Sequence, residues 1–291
     1  MSHLRLWLLA ARPRTLPAAI APVLVGTALA GSEDTFRALP LVAALVGSVF
    51  IQIGTNLSND YSDARRGADT EDRLGPVRVT AGGLMPPRRV LVGTYVAFGV
   101  AVAAGLYLAA VAGWELLVVG AASILAGILY TGGPRPYGYE GLGELFVFLF
   151  FGVVAVAGSY FVQTEDLRWE AVALGVPVGL LAAAILVVNN IRDVDTDRRA
   201  GKRTLAVKFG RERARMLFVA MVALAFLVPV LLVPALSAWL LLPLAALPLV
   251  SPLVRTVRTR TDGPALNGAL AATGRLLAVY SLLLAGGVLL S

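Results

Sequence analysis

Long apolar segments alternate with short polar ones along almost the whole chain. A bilayer is crossed by a helix of about 20 predominantly apolar residues, and nine segments of the sequence approach that pattern. The pattern predicts an all-α membrane protein with a single polytopic domain over residues 1–291, in which nine transmembrane helices surround a central cavity that opens near the cytoplasmic face. The predicted spans are 16–31, 38–58, 90–111, 114–131, 144–163, 170–191, 214–233, 235–251 and 265–290.

The composition agrees with this prediction and excludes several other classes of protein. Hydrophobic residues make up 58% of the 291 residues and charged residues only 15%, which excludes an ordinary soluble domain. The chain has no cysteine and a single histidine, so thiolate or imidazole metal sites and a Ser-His-Asp triad are excluded. Any metal ion must therefore be held by oxygen ligands.

The basic residues are distributed unevenly between the two ends of the predicted spans. All but three of the 25 lie before the first span or at the exits of even-numbered spans, and the exceptions are Arg37, Arg168 and Arg275. Cytoplasmic segments of membrane proteins are enriched in Lys and Arg. The pattern therefore predicts a multi-pass protein of the inner, cytoplasmic membrane, with its N-terminus in the cytoplasm and its C-terminus outside. The net charge of +7 reflects this topology, and no nucleic-acid partner is predicted.

Two polar stripes are predicted on the cytoplasmic side, where the connections between spans are longest. If the second and sixth helices continue into these connections, amide and carboxylate side chains fall on one face of each helix. The first stripe holds Asn56, Asn59, Asp60 and Asp63, and the second holds Asn189, Asp193 and Asp197. Asp195 falls on another face and is expected to be solvated. Because connections carry chemistry more often than the elements they join, the active site is predicted to face the cytoplasm.

Each stripe brings like charges together at the edge of the hydrocarbon, where they are poorly screened. Hard divalent cations, Mg²⁺ above all, satisfy such oxygens and leave positions free for phosphate. The alternative is a salt-bridge network in which nearby arginines neutralise the acids. These arginines are Arg65, Arg66, Arg192, Arg198 and Arg199. Because the acidic stripe occurs twice, the sequence favours the metal site.

Other candidate residues lie near the stripes. Four basic residues of the predicted cytoplasmic loops suit a diphosphate, although inside-positive charge alone explains any one of them. They are Arg78, Arg135, Lys202 and Arg203. Glu144 opens the fifth span and is either a general base or a favourable charge at a helix N-terminus. Aromatic residues between Phe146 and Phe161 either line a path for an unsaturated chain or face lipid.

The polar segments resemble the two aspartate-rich motifs of the UbiA superfamily of intramembrane prenyltransferases. The first motif is Asn-Asp-x-x-Asp-x-x-x-Gly-x-Asp at 59–69, and the second joins Asp193 and Asp197 to the segment 200–207. The nine-span layout is similar to that family over essentially the whole chain. Gly67 stands where many members carry an aspartate, and Asp69 follows two residues later. More narrowly, the chain resembles the MenA branch, the 1,4-dihydroxy-2-naphthoate prenyltransferases, at 11–17, 75–78, 130–137 and 141–144.

The resemblance implies that a polyprenyl diphosphate and an aromatic acceptor react at two Mg²⁺ ions. The allylic C–O bond ionises, the electron-rich ring of the acceptor attacks the cation, and the acceptor's carboxyl group leaves as CO₂. The product is demethylmenaquinone after oxidation, which places the reaction in menaquinone biosynthesis. Within the superfamily, 4-hydroxybenzoate or another aromatic acceptor is the alternative substrate. A cation-coupled secondary transporter is the alternative from a different class, but its site should lie at the bilayer midplane on broken helices.

The same resemblance assigns roles to particular residues. The implied metal ligands are Asn59, Asp60, Asp63, Asp69, Asp193 and Asp197. The catalytic set comprises Asp60, Asp63, Asp193 and Asp197, with Glu144 as the candidate base. The substrate-binding set comprises Asn56, Arg78, Tyr130, Arg135, Asn189, Asn190, Lys202 and Arg203.

Overall fold

The computed structural model describes residues 2–68 and 74–291, and within these residues the protein contains helices and no strand. The α-helices are α1 (His3–Ala11), α2 (Pro17–Gly31), α3 (Ala38–Arg65), α4 (Pro87–Ala112), α5 (Glu115–Leu129), α6 (Gly143–Phe148), α7 (Ala155–Thr164), α8 (Trp169–Arg199), α9 (Leu205–Phe209), α10 (Arg211–Leu232), α11 (Val250–Thr259) and α12 (Gly263–Leu289). A π-helical segment, Leu149–Val154, joins α6 to α7, and 3₁₀ segments occupy Pro13–Thr15, Tyr137–Glu140 and Ala238–Leu249.

Seven helices of the described residues are long and apolar enough to cross a membrane. They are Ala38–Arg65, Pro87–Ala112, Gly143–Thr164, Trp169–Arg199, Arg211–Leu232, Ala238–Thr259 and Gly263–Leu289. The all-α, multi-pass architecture predicted from hydropathy is therefore confirmed. The predicted spans 16–31 and 114–131 coincide with α2 and α5, which have only 15 residues each. The first of these forms an eighth span only together with His3–Thr15, from which it is bent by 53°. The count of nine stays a prediction.

Two helices extend further into the polar connections than their apolar segments indicate. The apolar segments end near residues 58 and 191, but α3 continues to Arg65 and α8 to Arg199. This continuation keeps the amide and carboxylate side chains at helical spacing, as the stripes require. The predicted span 235–251 deviates further from the observed structure. It is shifted to Ala238–Thr259 and begins with a 3₁₀ segment that contains Pro243 and Pro248, since proline removes the backbone donors of a regular α-helix.

Helix α8 lies at the centre of the bundle, where most of its apolar part is buried. Glycines allow the π-helical segment to approach it very closely. A Cβ atom at Gly152 would lie 2.4 Å from the Cα atom of Gly179, and one at Gly175 would lie 2.8 Å from the Cα atom of Val153. Small residues of this kind let helix backbones meet in membrane proteins. The close approach places the start of α6 beside the polar end of α8.

A small hydrophobic cluster holds the connection between α3 and α4 against helix α1. Ala10 of α1, Leu57 of α3 and Val90 of α4 surround Val79 and Met85 of the connection, and all five are buried. Burial of apolar side chains is the main favourable term in such packing. The cluster therefore fixes the segment that also carries Arg78, next to the polar end of α3.

Candidate active site

The two polar stripes face one cavity of about 360 Å³. Helices α3 and α8 supply opposite parts of its wall, and the connections after α3, α5 and α8 close its polar end. The cavity lining includes ten of the residues singled out from the sequence: Asn56, Asn59, Asp63, Arg78, Tyr130, Asn189, Asn190, Asp193, Asp197 and Lys202. Residues of both predicted stripes therefore lie at one cavity.

Asp63 is the point at which three segments of the chain converge. Its carboxylate accepts a hydrogen bond from the Tyr139 hydroxyl at 2.7 Å and contacts Arg78 and Lys202, with each N–O distance 3.3 Å. Asp63 is 1% exposed, so its charge requires compensation from within the protein. Asp63 thereby brings two cationic side chains together at this end of the cavity.

The other polar residues of α3 are held by backbone and side-chain groups nearby. The amide nitrogen of Asn56 donates to the carbonyl oxygen of Ala11 at 2.9 Å and to the Thr15 hydroxyl at 3.2 Å. The amide oxygen of Asn59 accepts from the Thr131 hydroxyl at 2.9 Å. These bonds fix the orientation of both amides at the cavity wall.

Asp60 lies one position away from the cavity lining and has different partners. Its two carboxylate oxygens accept hydrogen bonds from the backbone N–H groups of Val79, at 3.1 Å, and Thr80, at 2.9 Å. The carboxylate thus anchors the connection that carries Arg78. The structure places Asp60 behind the site, where it positions a loop, rather than beside the stripe on α8.

On α8, the carboxylate of Asp193 is paired with the neighbouring Arg192. The guanidinium donates to both oxygens, at 2.7 and 2.5 Å, and also to Asn189 and Asn267, each at 2.7 Å. Arg192 is 2% exposed, so this ion pair is buried and almost fully hydrogen-bonded. Asp197, one turn further along, lines the same cavity. Asp195 is exposed and pairs with Arg211, in agreement with the prediction that it is solvated.

Glu144 is buried at the start of α6, next to Asn190 of α8. One of its oxygens accepts a hydrogen bond from the Asn190 amide at 2.8 Å, and the other has no hydrogen-bond partner among the described residues. The residue is 4% exposed. A buried carboxyl oxygen without a partner is costly unless it has a ligand or a proton to hold.

The structure does not bring every predicted residue to the cavity. Glu144 is not a lining residue; it is buried beside Asn190, which does line the cavity. Arg135 and Arg203 are exposed and do not line it, because they occupy the outer side of the connections whose inner sides hold Tyr139 and Lys202. Asp69 lies outside the described residues.

The predicted salt-bridge network is realised only in part. Arg192 neutralises Asp193, whereas Arg66 donates to the backbone carbonyl oxygens of Thr131 and Gly133 and Arg65 to the Tyr61 hydroxyl. Carbonyl groups that are left over at the ends of helices and in turns attract these arginines.

Four side chains at the site were given no role in the sequence analysis: Arg12, Thr15, Thr131 and Tyr139. The first three nevertheless lie in the segments 11–17 and 130–137, on which the resemblance rests. Tyr139 and Thr131 fall in the connection between α5 and α6, where no periodic pattern marks a direction for a side chain. Arg12 has a left-handed backbone, with φ 53°, and lines the cavity with Thr15. A non-glycine residue in that conformation is a structural signal, invisible in hydropathy, that accompanies functional sites.

The apolar part of the cavity is lined by aromatic rings of α6 and the π-helical segment. Phe146 stacks on Tyr137 with a centroid distance of 4.0 Å, and Phe150 continues the stack at 6.0 Å from Phe146. Phe151 also lines the cavity. Burial raises the pKa of Tyr137, which stays neutral and donates to the carbonyl oxygen of Ala126 at 2.9 Å. Part of the aromatic run therefore faces the cavity rather than lipid.

The oxygen donors of the cavity fit a hard divalent cation in kind. Asn59, Asp63, Asp193 and Asp197 offer carboxylate and amide oxygens, the ligands that Mg²⁺ prefers. Within the described part of the chain, however, no three acidic or histidine side chains are grouped closely enough to form a complete metal site. A cation at either wall would therefore need additional oxygens from a ligand such as a phosphate group.

The protein is thus an all-helical bundle around a cavity with carboxylates and cationic groups at one end and aromatic rings in its apolar part. The chain belongs to the UbiA prenyltransferase family, whose model matches residues 19–265. Among solved structures it is similar to a UbiA homologue from Archaeoglobus fulgidus bound to GPP and Mg²⁺, with a TM-score of 0.66 at 14% identity over 96% of this chain and 99% of that one.

Two curated relatives are more similar in sequence than this solved structure, and both carry the same name. The 1,4-dihydroxy-2-naphthoate octaprenyltransferase of Mycobacterium tuberculosis is 42% identical over 99% of this chain and 98% of the relative. The protein of the same name from Escherichia coli is 37% identical over 100% of this chain and 97% of the relative.

Replacing Asp60 by Asn tests the anchoring of the connection between α3 and α4. The Asn side chain offers one acceptor oxygen in place of two, so either Val79 or Thr80 loses its partner, at a cost of about 1–3 kcal/mol. We expect a lower melting temperature and faster hydrogen exchange across residues 77–85. Asp195→Asn is the matched control, since that exposed ion pair contributes at most about 1 kcal/mol. Equal exchange in the two variants would contradict the anchoring role.

Proposed function

We propose that this protein is a 1,4-dihydroxy-2-naphthoate polyprenyltransferase. It transfers a polyprenyl chain from its diphosphate to the aromatic acceptor, with loss of CO₂ and diphosphate, and the product becomes demethylmenaquinone after oxidation. The observation that carries the proposal is the convergence of Asp63, Asp193 and Asp197 from two helices on a cavity that also contains Arg78 and Lys202. The curated relatives named for this reaction, 36–42% identical over most of the chain, support the choice of acceptor.

The diphosphate of the donor binds at the polar end of the cavity. Arg78 and Lys202 already lie within 3.3 Å of Asp63 there and are directed at the same volume. Asn59, Asp63, Asp193 and Asp197 would hold Mg²⁺, one ion at each wall, and the bound metal would supply stabilisation of the negative charge on the leaving diphosphate. Asp60 contributes through the loop that it anchors.

The prenyl chain of the donor extends into the aromatic part of the cavity. Phe146, Phe150 and Phe151 offer apolar surface and ring faces, which stabilise positive charge on an allylic carbon. When the allylic C–O bond breaks, its electron pair leaves with the diphosphate. The diphosphate of the donor is therefore surrounded by charged and polar groups, and its prenyl chain by aromatic rings.

Glu144 acts on the acceptor as a proton carrier. Its unpartnered oxygen takes the proton of a ring hydroxyl, which makes the ring a better nucleophile, and Asn190 holds the other oxygen. The ring carbon that bears the carboxylate then forms the new C–C bond. Loss of CO₂ returns the bonding electrons to the ring, and the proton returns from Glu144 to the ring oxygen, so the step releases no net proton.

The membrane arrangement that suits this reaction has nine spans, with the short helices α2 and α5 included. The N-terminus and the polar end of the cavity face the cytoplasm, where the water-soluble acceptor is available. The enrichment of Lys and Arg in the segments at that end supports the orientation.

The absence of cysteine makes the orientation directly testable. Single-cysteine variants Ser2→Cys and Ser291→Cys place a thiol at each exposed terminus. In inverted inner-membrane vesicles a membrane-impermeant maleimide should label the first and not the second, and spheroplasts should show the reverse. Labelling of both termini from the same side would contradict an odd number of spans.

The reaction is tested with purified protein, a labelled polyprenyl diphosphate, and dihydroxynaphthoate or hydroxybenzoate offered in parallel. We expect Mg²⁺-dependent transfer to dihydroxynaphthoate that stops on chelation and resumes when Mg²⁺ is restored. Asp63→Asn and Asp193→Asn should each reduce kcat by about 100-fold or more, because an interaction with the developing diphosphate charge is lost.

Asp195→Asn, which alters an exposed carboxylate on the same helix, should retain full activity. Preferential use of hydroxybenzoate would reassign the acceptor. Undiminished turnover in either Asn variant, with the fold intact, would remove the proposed diphosphate site.

Glu144→Gln tests the proton carrier separately. Loss of general-base catalysis should reduce kcat by about 100-fold with little change in KM for the donor. Raising the pH should restore part of the rate, because the acceptor's hydroxyl then ionises in solution. Glu140→Gln, at an exposed position just before α6, is the control. A loss of activity that is equal at all pH values would argue for packing rather than proton transfer.

A further inference from the structure

A second concave surface lies outside the bundle and shares no lining residue with the cavity described above. It is a groove of about 630 Å³ between α1, α3 and α4, within the range of roughly 300–1,000 Å³ common for ligand pockets. Its walls are almost entirely apolar, and the lining includes Trp7, Phe50, Ile53, Val92 and Val96. Because α3 and α4 are both candidate membrane spans, the open side of the groove would face the acyl region of a bilayer.

Two arginines stand at the polar end of this groove. Arg88 and Arg89 belong to the first turn of α4, are exposed, and line the groove. Neither side chain forms a hydrogen bond or ion pair with another residue that the structure describes, and the first turn of α4 contains no acidic residue. Two adjacent positive charges without a partner among the described residues, at the end of an apolar groove, are complementary to a molecule with an anionic head and a hydrocarbon tail.

Helix α1 closes one side of the groove in a specific way. The indole ring of Trp7 packs against α4 at Gly93, where a Cβ atom would lie 2.6 Å from the ring. Leu4 and Leu8 of the same helix are exposed, whereas Ala10 is buried in the cluster that holds the Arg78 connection. A helix with exposed Trp and Leu beside a membrane span is typical of the bilayer interface.

From this geometry we infer that the groove binds one anionic phospholipid of the leaflet at the polar end of the cavity. The phosphate and the anionic head group contact Arg88 and Arg89, and one acyl chain lies along Phe50, Ile53 and Val96. The groove shares Leu57 with the buried cluster around Val79, the neighbour of Arg78. A bound lipid therefore holds α1 and α4 together at the point where they clamp the connection that reaches the active site.

Native mass spectrometry of delipidated, full-length protein in a mild detergent tests the site with phosphatidylglycerol and phosphatidylcholine as probes. We expect one phosphatidylglycerol to bind at least tenfold more tightly than any phosphatidylcholine. The double variant R88Q/R89Q should weaken that single site at least fivefold and should lose the increase in melting temperature that phosphatidylglycerol gives to the wild type.

The matched control is R255Q/R258Q, which removes two exposed arginines of α11 and the same amount of charge. It should leave the tight site unchanged. A second pair of variants tests the acyl position, because Val96→Trp fills the groove whereas Val102→Trp adds the same ring at an exposed position of α4 outside it. Only the first should reduce binding.

Three results would overturn the inference. The first is equal affinity for the two lipids. The second is an equal loss of binding in R88Q/R89Q and R255Q/R258Q, which would indicate general charge attraction. The third is displacement of the bound lipid by geranyl diphosphate, which would make the groove an entry site for the donor. All these measurements are independent of prenyl transfer, so the lipid site and the proposed function can fail separately.

Discussion

The geometry of the candidate active site depends on how the buried charge of Asp63 is compensated at the polar end of the cavity. Asp63 is almost inaccessible to solvent, and burial of its negative charge would be very costly without partners. Three different connections supply them, in the side chains of Arg78, Lys202 and Tyr139. One carboxylate on α3 thereby determines where the connections after α3, α5 and α8 lie. The same contacts that compensate the carboxylate also bring together the cationic groups to which we assign the donor's diphosphate.

Backbone anchoring complements this charge compensation. Asp60 is adjacent to Asn59 in sequence, but the helix turns its carboxylate about 100° away from the amide of that neighbour. It accepts from the amides of Val79 and Thr80, and the hydrophobic cluster with Ala10 and Leu57 covers the other side of the same loop. The loop is therefore fixed from both sides, which gives Arg78 a defined position although it lies in an irregular segment.

Hydropathy was sufficient to predict the all-α membrane fold, and helical spacing was sufficient to predict that Asn189, Asp193 and Asp197 share one face of their helix. Both inferences rest on the periodicity of apolar and polar residues, which can be read from a single sequence. The role of Asp60 could not be predicted, because its partners are backbone amides that have no sequence signature. Arg135 and Arg203 were assigned by charge alone, and a charge in a loop does not indicate which side of the loop it occupies.

The salt-bridge and metal interpretations of the acidic stripes need not exclude each other. Arg192 compensates the charge of Asp193 within the protein. Its guanidinium also donates hydrogen bonds to Asn189 and Asn267, so its position is fixed independently of any ligand. A carboxylate has about four lone-pair sites, and the two bonds from Arg192 leave others for a cation. The ion pair compensates the charge of Asp193 without a metal ion, and it lowers the repulsion between Asp193 and Asp197, which lies one turn away.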